Sequence, residues 1–241
     1  MIKKTIFIIV LLSLISFLTL FLTDIIDIWS LSLFLIILIT LIFFFYQFET
    51  EKISSKELSL VAMISAISAV SRIPFAAIPS VQPCTFIIIC TGYVFGPIAG
   101  FMVGATTALV SNIFLGQGPW TIFQMFAWGL VGLTASILGK YDIKKVGLLV
   151  FGVLWGYLFG WIMNLWFWLA YIYPHNATTL IYYMSTSITF DTLHALGNAF
   201  FILLLSEKII EIFKRYKSRF HVEYKDISEL EIEKNKDIDI V

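Results

Sequence analysis

The chain has 241 residues, of which 59% are hydrophobic and only 13% are charged. A soluble domain carries about 25% charged residues and could not bury this much apolar surface, so the composition excludes a water-soluble fold and favours a bilayer protein. The formal net charge is zero, and the chain has no basic footprint of the kind that nucleic-acid binding needs.

The N-terminal segment begins with Lys3 and Lys4 and continues as an apolar run to Leu22. This start is similar to a signal peptide, but no small-x-small cleavage site follows and a second apolar run begins almost at once. We therefore interpret residues 1–50 as two transmembrane helices, near residues 4–23 and 29–48.

Six further apolar segments follow a short polar stretch and have the length of helices. We predict helices near residues 57–72, 83–95, 97–113, 120–138, 146–171 and 188–213. Gly96 and Pro97 separate the second of these from the third, where we favour a tight turn over the alternative of one kinked helix. The predicted fold is an all-α membrane protein, with a six-helix core over residues 55–216 preceded by two extra transmembrane helices.

The charges indicate how these helices are oriented. If the loops alternate between two sides, one side carries most of the cations: Lys3, Lys4, Lys52, Lys56, Lys140, Lys144, Lys145, Lys214, Arg215, Lys217 and Arg219. The other side has Arg72 as its one cation, with Asp24, Asp27 and Asp191. The positive-inside rule makes the basic side cytoplasmic, so we expect a multi-pass cell-membrane protein with both termini inside. Residues 217–241 are predicted to be a charged cytoplasmic tail.

The two cysteines, Cys84 and Cys90, fall six residues apart on one predicted helix. They would lie about 9 Å apart along its axis and on different faces, too far for a disulfide. Two cysteines are also too few for a cysteine-rich zinc site. We interpret them as small packing residues and predict neither a metal nor a cofactor.

Polar and aromatic residues recur at helical spacing in the outer halves of three predicted helices. They are Trp120, Gln124 and Trp128, then Tyr157, Trp161, Asn164 and Trp168, then Asp191, His194 and Asn198. Ionisable groups in a membrane usually face a cavity or a partner, and an aromatic pocket with a few polar anchors is typical of a small-molecule site. Three outward loops, residues 73–82, 114–119 and 172–187, would cover such a pocket.

These residues also have ordinary structural explanations. Tryptophan is common in the interfacial belt, Asn164 could bond a neighbouring helix, and Arg72 could extend to lipid headgroups. Asp191 falls in the first turn of its helix, where a carboxylate helps to satisfy free N–H groups, and it could pair with His194.

The first core helix carries small residues on one face. Ala62 and Ala66 are four residues apart, and Ser59, Ser65 and Ala69 extend the small surface. Such faces let two helices approach closely in lipid. The partner could be another protein or another helix of the same chain.

Four stretches of the core resemble the S component, the substrate-binding membrane subunit, of an energy-coupling factor (ECF) transporter. They are residues 71–74 (SRIP), 82–86 (QPCTF), 92–100 (GYVFGPIAG) and 112–120 (NIFLGQGPW). The resemblance covers about residues 55–216 and is to the cobalamin-type branch of these subunits. The extra helices over residues 1–48 depart from the six-helix pattern of the family.

The resemblance implies that the chain binds a vitamin at the outer face and docks on a transmembrane coupling subunit through Ala62 and Ala66. Two cytoplasmic ATPase subunits drive the complex, and the S component topples to release its cargo; the chain itself has no Walker motif. With the polar faces above, the candidate substrate-binding residues are Arg72, Gln82, Asn112, Gln117, Trp120, Gln124, Trp161, Asn164, Trp168, Asp191 and His194.

Cobalamin is the expected cargo. It is large, mostly neutral and rimmed with amides, and the amides and tryptophans of the candidate site suit it. The few charges near the outer face, Arg72 and Asp191, argue against a strongly anionic ligand, which would need several cations.

Other functions remain as alternatives. The cargo could be another small vitamin or micronutrient. A membrane enzyme could use Asp191 and His194 as an acid–base pair, although no nucleophile–base–orienter set or metal-ligand spacing is present. A stand-alone secondary carrier would be expected to have broken helices in two matching halves, which are not evident. We therefore predict a binding subunit and not an enzyme.

Overall fold

The structure is a computed structural model that describes residues 29–50 and 55–219. These residues form eight α-helices and no strand, which confirms the all-α fold. The helices are α1 (Trp29–Thr50), α2 (Ser55–Ser71), α3 (Cys84–Phe95), α4 (Pro97–Leu115), α5 (Trp120–Lys140), α6 (Lys145–Tyr171), α7 (Ala177–Thr186) and α8 (Ile188–Ser218). The predicted helix near residues 4–23 and the tail from residue 220 onward lie outside the described residues.

Five of these helices are long and apolar enough to cross a membrane: α1, α4, α5, α6 and α8. The other two core helices are shorter, with 17 residues in α2 and 12 in α3. The chain is thus a multi-pass membrane protein, and both Cys84 and Cys90 are buried in its core.

The turn between α3 and α4 is tight, as predicted, and one kinked helix is excluded. Gly96 has a φ of 97°, in the left-handed region that favours glycine, and Pro97 begins the next helix. A Cβ atom added to Gly100 would lie 2.7 Å from the Cα atom of Gly92. The two helices therefore fold back on each other as a hairpin.

Helix α5 crosses this hairpin in backbone contact. A Cβ atom on Gly132 would lie 2.0 Å from the carbonyl oxygen of Gly100, and one on Gly92 would lie 2.0 Å from the carbonyl oxygen of Gly132. Around this centre, α2 packs on α4, α6 on α5, and α8 on α3 and α6. Helix α1 packs on α4, α5 and α6, with the Phe44 and Phe101 rings stacked 3.8 Å apart.

The core helices run alternately between two ends of the bundle. At the end that we call the basic end, Lys214 lies 3.7 Å from Asp142, and Lys145 lies 3.3 Å from Glu207. The opposite end, which we call the loop end, contains the connections after α2, α4 and α6. The candidate site is at the loop end.

The connection between α6 and α8 contains a helix, α7, that the sequence analysis did not predict. The Asn176 side chain accepts a hydrogen bond from the backbone N–H of Thr179 at 2.9 Å, and the Thr179 hydroxyl accepts one from the backbone N–H of Asn176 at 3.4 Å. This capping box starts the helix. Helix α8 continues to Ser218, beyond the predicted end near residue 213.

Candidate functional site

Arg72 directly follows α2 and points into the protein. It is only 6% exposed, and its guanidinium carbon lies 4.6 Å from the ring centroid of Trp128. Its Nε donates to Gln82 Oε1 at 2.7 Å, and its Nη1 donates to Asn112 Oδ1 at 3.1 Å and to the Ser111 hydroxyl. The alternative that Arg72 extends to lipid headgroups is therefore wrong.

Asn112 connects this arginine with the second outer loop. Its Nδ2 donates to Gln124 Oε1 at 2.7 Å and to Thr121 Oγ1 at 3.0 Å. The Thr121 hydroxyl donates to Gln117 Oε1 at 2.8 Å, and Gln117 Nε2 donates to the carbonyl oxygen of Leu109, also at 2.8 Å. These bonds tie the end of α4, the loop and the start of α5 into one network.

A second branch of the network leads from Trp128 to α8. Trp128 Nε1 donates to Thr85 Oγ1 at 3.0 Å, and Thr85 Oγ1 lies 2.8 Å from His194 Nε2. The Thr85 hydroxyl thus connects the indole of Trp128 with the imidazole of His194. Phe159 covers both rings, 4.8 Å from Trp128 and 5.1 Å from His194.

Six of the eleven predicted binding residues thus meet in one hydrogen-bonded assembly, which we call the Arg72 cluster and which is mostly buried, with Gln117 exposed at its edge. Its members come from α3, α4, α5, α8 and the first two outer loops. They are Arg72, Gln82, Thr85, Ser111, Asn112, Gln117, Thr121, Gln124, Trp128 and His194.

Trp161 and Asp191 lie elsewhere, on a groove of about 490 Å³ between α6, α7 and α8 that no member of the Arg72 cluster lines. The Ser187 hydroxyl donates to Asp191 Oδ2 at 2.8 Å and accepts from Asn164 Nδ2 at 2.5 Å. Asp191 forms no hydrogen bond with His194, and its carboxylate does not cap a backbone N–H group. Asp191 does lie in the first turn of α8, where a carboxylate interacts favourably with the helix dipole, whereas the predicted pairing with His194 does not occur.

The two remaining predicted residues belong to neither place. Trp168 Nε1 donates to Thr179 Oγ1 at 3.0 Å, and its ring packs 4.8 Å from that of His175, so it fastens the start of α7 to α6. Trp120 is 39% exposed, with its ring folded against Gly118.

Sequence reasoning did not select four members of the cluster: Thr85, Ser111, Thr121 and Trp128. Trp128 was on a recognised polar face, and Thr85 was in a recognised stretch. The three hydroxyl residues gave no separate signal because serine and threonine in helices commonly bond a carbonyl four residues earlier. Ser111 makes such a bond to Thr107 at 2.6 Å and still accepts from Arg72.

The small residues of α2 are divided between two sides of the helix, because Ser65 and Ala69, which were expected to extend the surface of Ala62 and Ala66, are buried. Ala62 and Ala66 are exposed, whereas Leu60, Val61 and Ile64 on the other side of the helix are buried. Over the described ranges, no three His, Cys, Asp or Glu side chains lie close enough together to hold a metal ion.

Comparison with known proteins gives a family match. The model of the family described as "ECF transporter, substrate-specific component" matches residues 56–206. Two curated proteins of Aliivibrio fischeri, from strain MJ11 and from strain ATCC 700601 / ES114, are similar to the chain, and both are named UPF0397 protein. Each is 24% identical over 124 residues, which cover 45% of this chain and 67% of the relative. No solved structure matches the chain significantly.

Proposed function

Because this chain belongs to the family of ECF transporter substrate-specific components, we propose that it captures a vitamin at the outer face of the membrane and delivers it inward. The observation that carries this proposal is the Arg72 cluster. Buried polar and ionisable groups are costly in a membrane protein and usually mark the path or the site of a ligand. Here they gather beneath two outer loops, where a ligand from outside would arrive.

The loops act as the lid of the site. Gln82 stands on the first loop and Gln117 on the second, and each joins the cluster through its side chain. If these loops lift, the amides of Asn112 and Gln124 and the indole of Trp128 become available to a ligand. The same donors and acceptors that now satisfy each other would then bind the cargo.

Membership of the family implies a transmembrane coupling subunit and ATPase subunits as partners. We place the docking surface on α2, where Ala62 and Ala66 leave a small, exposed face that another helix can approach closely. The loaded subunit docks there, topples and releases its cargo to the cytoplasm. Two cytoplasmic ATPases provide the energy.

The basic end of the bundle is the cytoplasmic end in this proposal. Lys140, Lys144, Lys145 and Lys214 belong to the helix ends and the loop that meet there, and cytoplasmic loops are rich in such residues. Both termini are then cytoplasmic, and the loop end faces outward.

Cobalamin is the cargo that we propose first, on the resemblance of residues 82–86 and 112–120 to the cobalamin-type branch and on the amides and indole of the Arg72 cluster. Another, smaller vitamin is the alternative. The groove beside Asp191 has a volume of about 490 Å³ and favours the smaller vitamin, because a corrinoid is larger than such a groove.

Thermal-shift measurements on the purified protein with a panel of vitamins test the proposal, because a tight ligand raises the melting temperature by mass action. Calorimetry with cyanocobalamin then tests the cargo, with an expected Kd tighter than about 1 μM. Tight binding of another vitamin with weak binding of cyanocobalamin would contradict cobalamin as the cargo but not the importer function. A panel without any tight ligand, uptake that persists without ATPases, or chemical conversion of the ligand would contradict the importer.

A further inference from the structure

We infer that the cargo carries one anionic group and that this group pairs with the guanidinium of Arg72. The inference rests on the proposed function and names the chemical class of its ligand: a vitamin with a single carboxylate or a single phosphate-type anion.

Among residues 29–50 and 55–219, which the structure describes, no carboxylate pairs with the charge of Arg72. Its side-chain contacts are the oxygens of Gln82, Ser111 and Asn112 and the ring of Trp128, all of them neutral. The ion pairs found among the described residues join Lys144, Lys145 and Lys214 to acids at the basic end. A buried charge without a partner is unfavourable, so a ligand that supplies the opposite charge gains more here than at an exposed site.

The guanidinium also keeps donors for an anion. Nε and Nη1 are used, whereas Nη2 donates to no acceptor within the described part of the chain. Nε and Nη2 form one edge of the guanidinium, which suits the two oxygens of a carboxylate or phosphate group. Gln82, on the first loop of the proposed lid, occupies only the Nε half of that edge. An anion that replaced its amide oxygen would bind both halves.

The surrounding charges limit the ligand to one anionic group. Between residues 57 and 139 the sequence contains no Lys or Arg other than Arg72. This part of the chain therefore has no second cation that could bind a further negative charge of the ligand. A ligand with several negative charges would need several cations. Two kinds of vitamin satisfy the inference: a compact one with a carboxylate, and a corrinoid, whose nucleotide loop contains one phosphodiester.

Ligand pairs with and without the anionic group test the inference. Nicotinate with nicotinamide, pantothenate with pantothenol, and biotin with its amide test the carboxylate. Cyanocobalamin with cobinamide tests the corrinoid, but cobinamide lacks the whole nucleotide loop, so for this pair the preference must also be lost in Arg72→Gln. Calorimetry is expected to give at least about 30-fold tighter binding of the anionic member of one pair, since losing one partner of a buried charge pair costs about 2 kcal/mol or more. Tight binding only of neutral or cationic vitamins would overturn the inference and leave the importer intact.

The variant Arg72→Gln tests whether Arg72 contacts the ligand or has only a structural role. We expect the affinity for the anionic member to fall more than that for the neutral member, so that the ratio of the two affinities approaches one. An equal loss for both members would overturn the inference. Gln82→Ala, which removes the competing amide oxygen, is expected to strengthen the preference, and a weakened preference would contradict the replacement of Gln82 by the anion. If Arg72→Gln does not fold, the ligand preference of the wild type and the change of that preference in Gln82→Ala still test the inference.

Discussion

Lys217, near the end of α8, donates a hydrogen bond from Nζ to the carbonyl oxygen of Val94, 2.6 Å away and 123 residues earlier in the chain. Val94 lies in the last turn of α3, where carbonyl groups have no partner within the helix. A cation beside this end also interacts favourably with the helix dipole. The bond therefore joins the last helix to the hairpin of α3 and α4 at the basic end.

Replacing this lysine should loosen that junction. Lys217→Met removes the donor and keeps an unbranched side chain, and we expect the free energy of unfolding to fall by about 1 kcal/mol. Ligand affinity should not change, because the Arg72 cluster lies at the other end of the bundle. Thermal unfolding in detergent measures the effect. Lys208→Met, on an exposed position of the same helix, is the control, and an equal effect of both variants would contradict a specific role for the bond.

The contact between α5 and the hairpin predicts a larger effect. In Gly132→Ala the new methyl group would meet the carbonyl oxygen of Gly100 at 2.0 Å, and backbone atoms on both sides cannot give way without moving a helix. We expect a loss of about 2–3 kcal/mol in stability. Gly147→Ala is the matched control, because its methyl group would meet only the side chain of Ile143. Similar melting temperatures for the two variants would show that the helices can separate at little cost.

Local patterns were enough for some parts of the fold. Gly96 and Pro97 act on their own backbone, so the tight turn between α3 and α4 could be predicted from two residues. Helix α7 was missed although its start carries a capping box, because it has only ten residues and none of them is buried.

The site depended on contacts that a single sequence does not reveal. Arg72 points inward because Trp128, 56 positions later, offers its ring, and Asn112 offers an oxygen. Asp191 and His194 share a helix face, but Thr85 on α3 binds the imidazole and Ser187 binds the carboxylate. The sequence therefore indicated which helix faces are polar. It did not show that some of their residues join the Arg72 cluster whereas others line the groove beside Asp191.

Asp142, in the loop between α5 and α6, gives the basic end a dependence on pH. Hydrogen bonds from Lys144 and from the Tyr93 hydroxyl hold the pKa of the Asp142 carboxyl below its ordinary value of 3.8. A lowered pKa means that the contribution of this group to stability is present above pH 3.8 and is lost as the pH falls through the folded-state pKa. We expect wild type to melt above Asp142→Asn by a constant margin from pH 7 to about pH 4, and the margin to shrink below that. A margin that shrinks already near pH 6 would mean that another group is responsible.

The exposed alanines of α2 give the sharpest test of coupling. Ala62→Leu combined with Ala66→Leu should block uptake and leave ligand affinity unchanged, because leucine side chains would hold the coupling subunit away from the helix. Both positions face away from the core and from the Arg72 cluster, so the core should fold normally. Co-purification with the coupling subunit and uptake of labelled vitamin measure the outcome.

The control for this double variant lies on the same face. Met63→Leu with Ile67→Leu changes two exposed neighbours of the alanines but conserves their volume, so the complex should form and transport at nearly the wild-type rate. If the alanine variant also transports normally in an intact complex, the coupling subunit docks on another surface. If both variants fail alike, the whole apolar face of α2 contributes to docking, and the small size of Ala62 and Ala66 is not the feature that the partner requires.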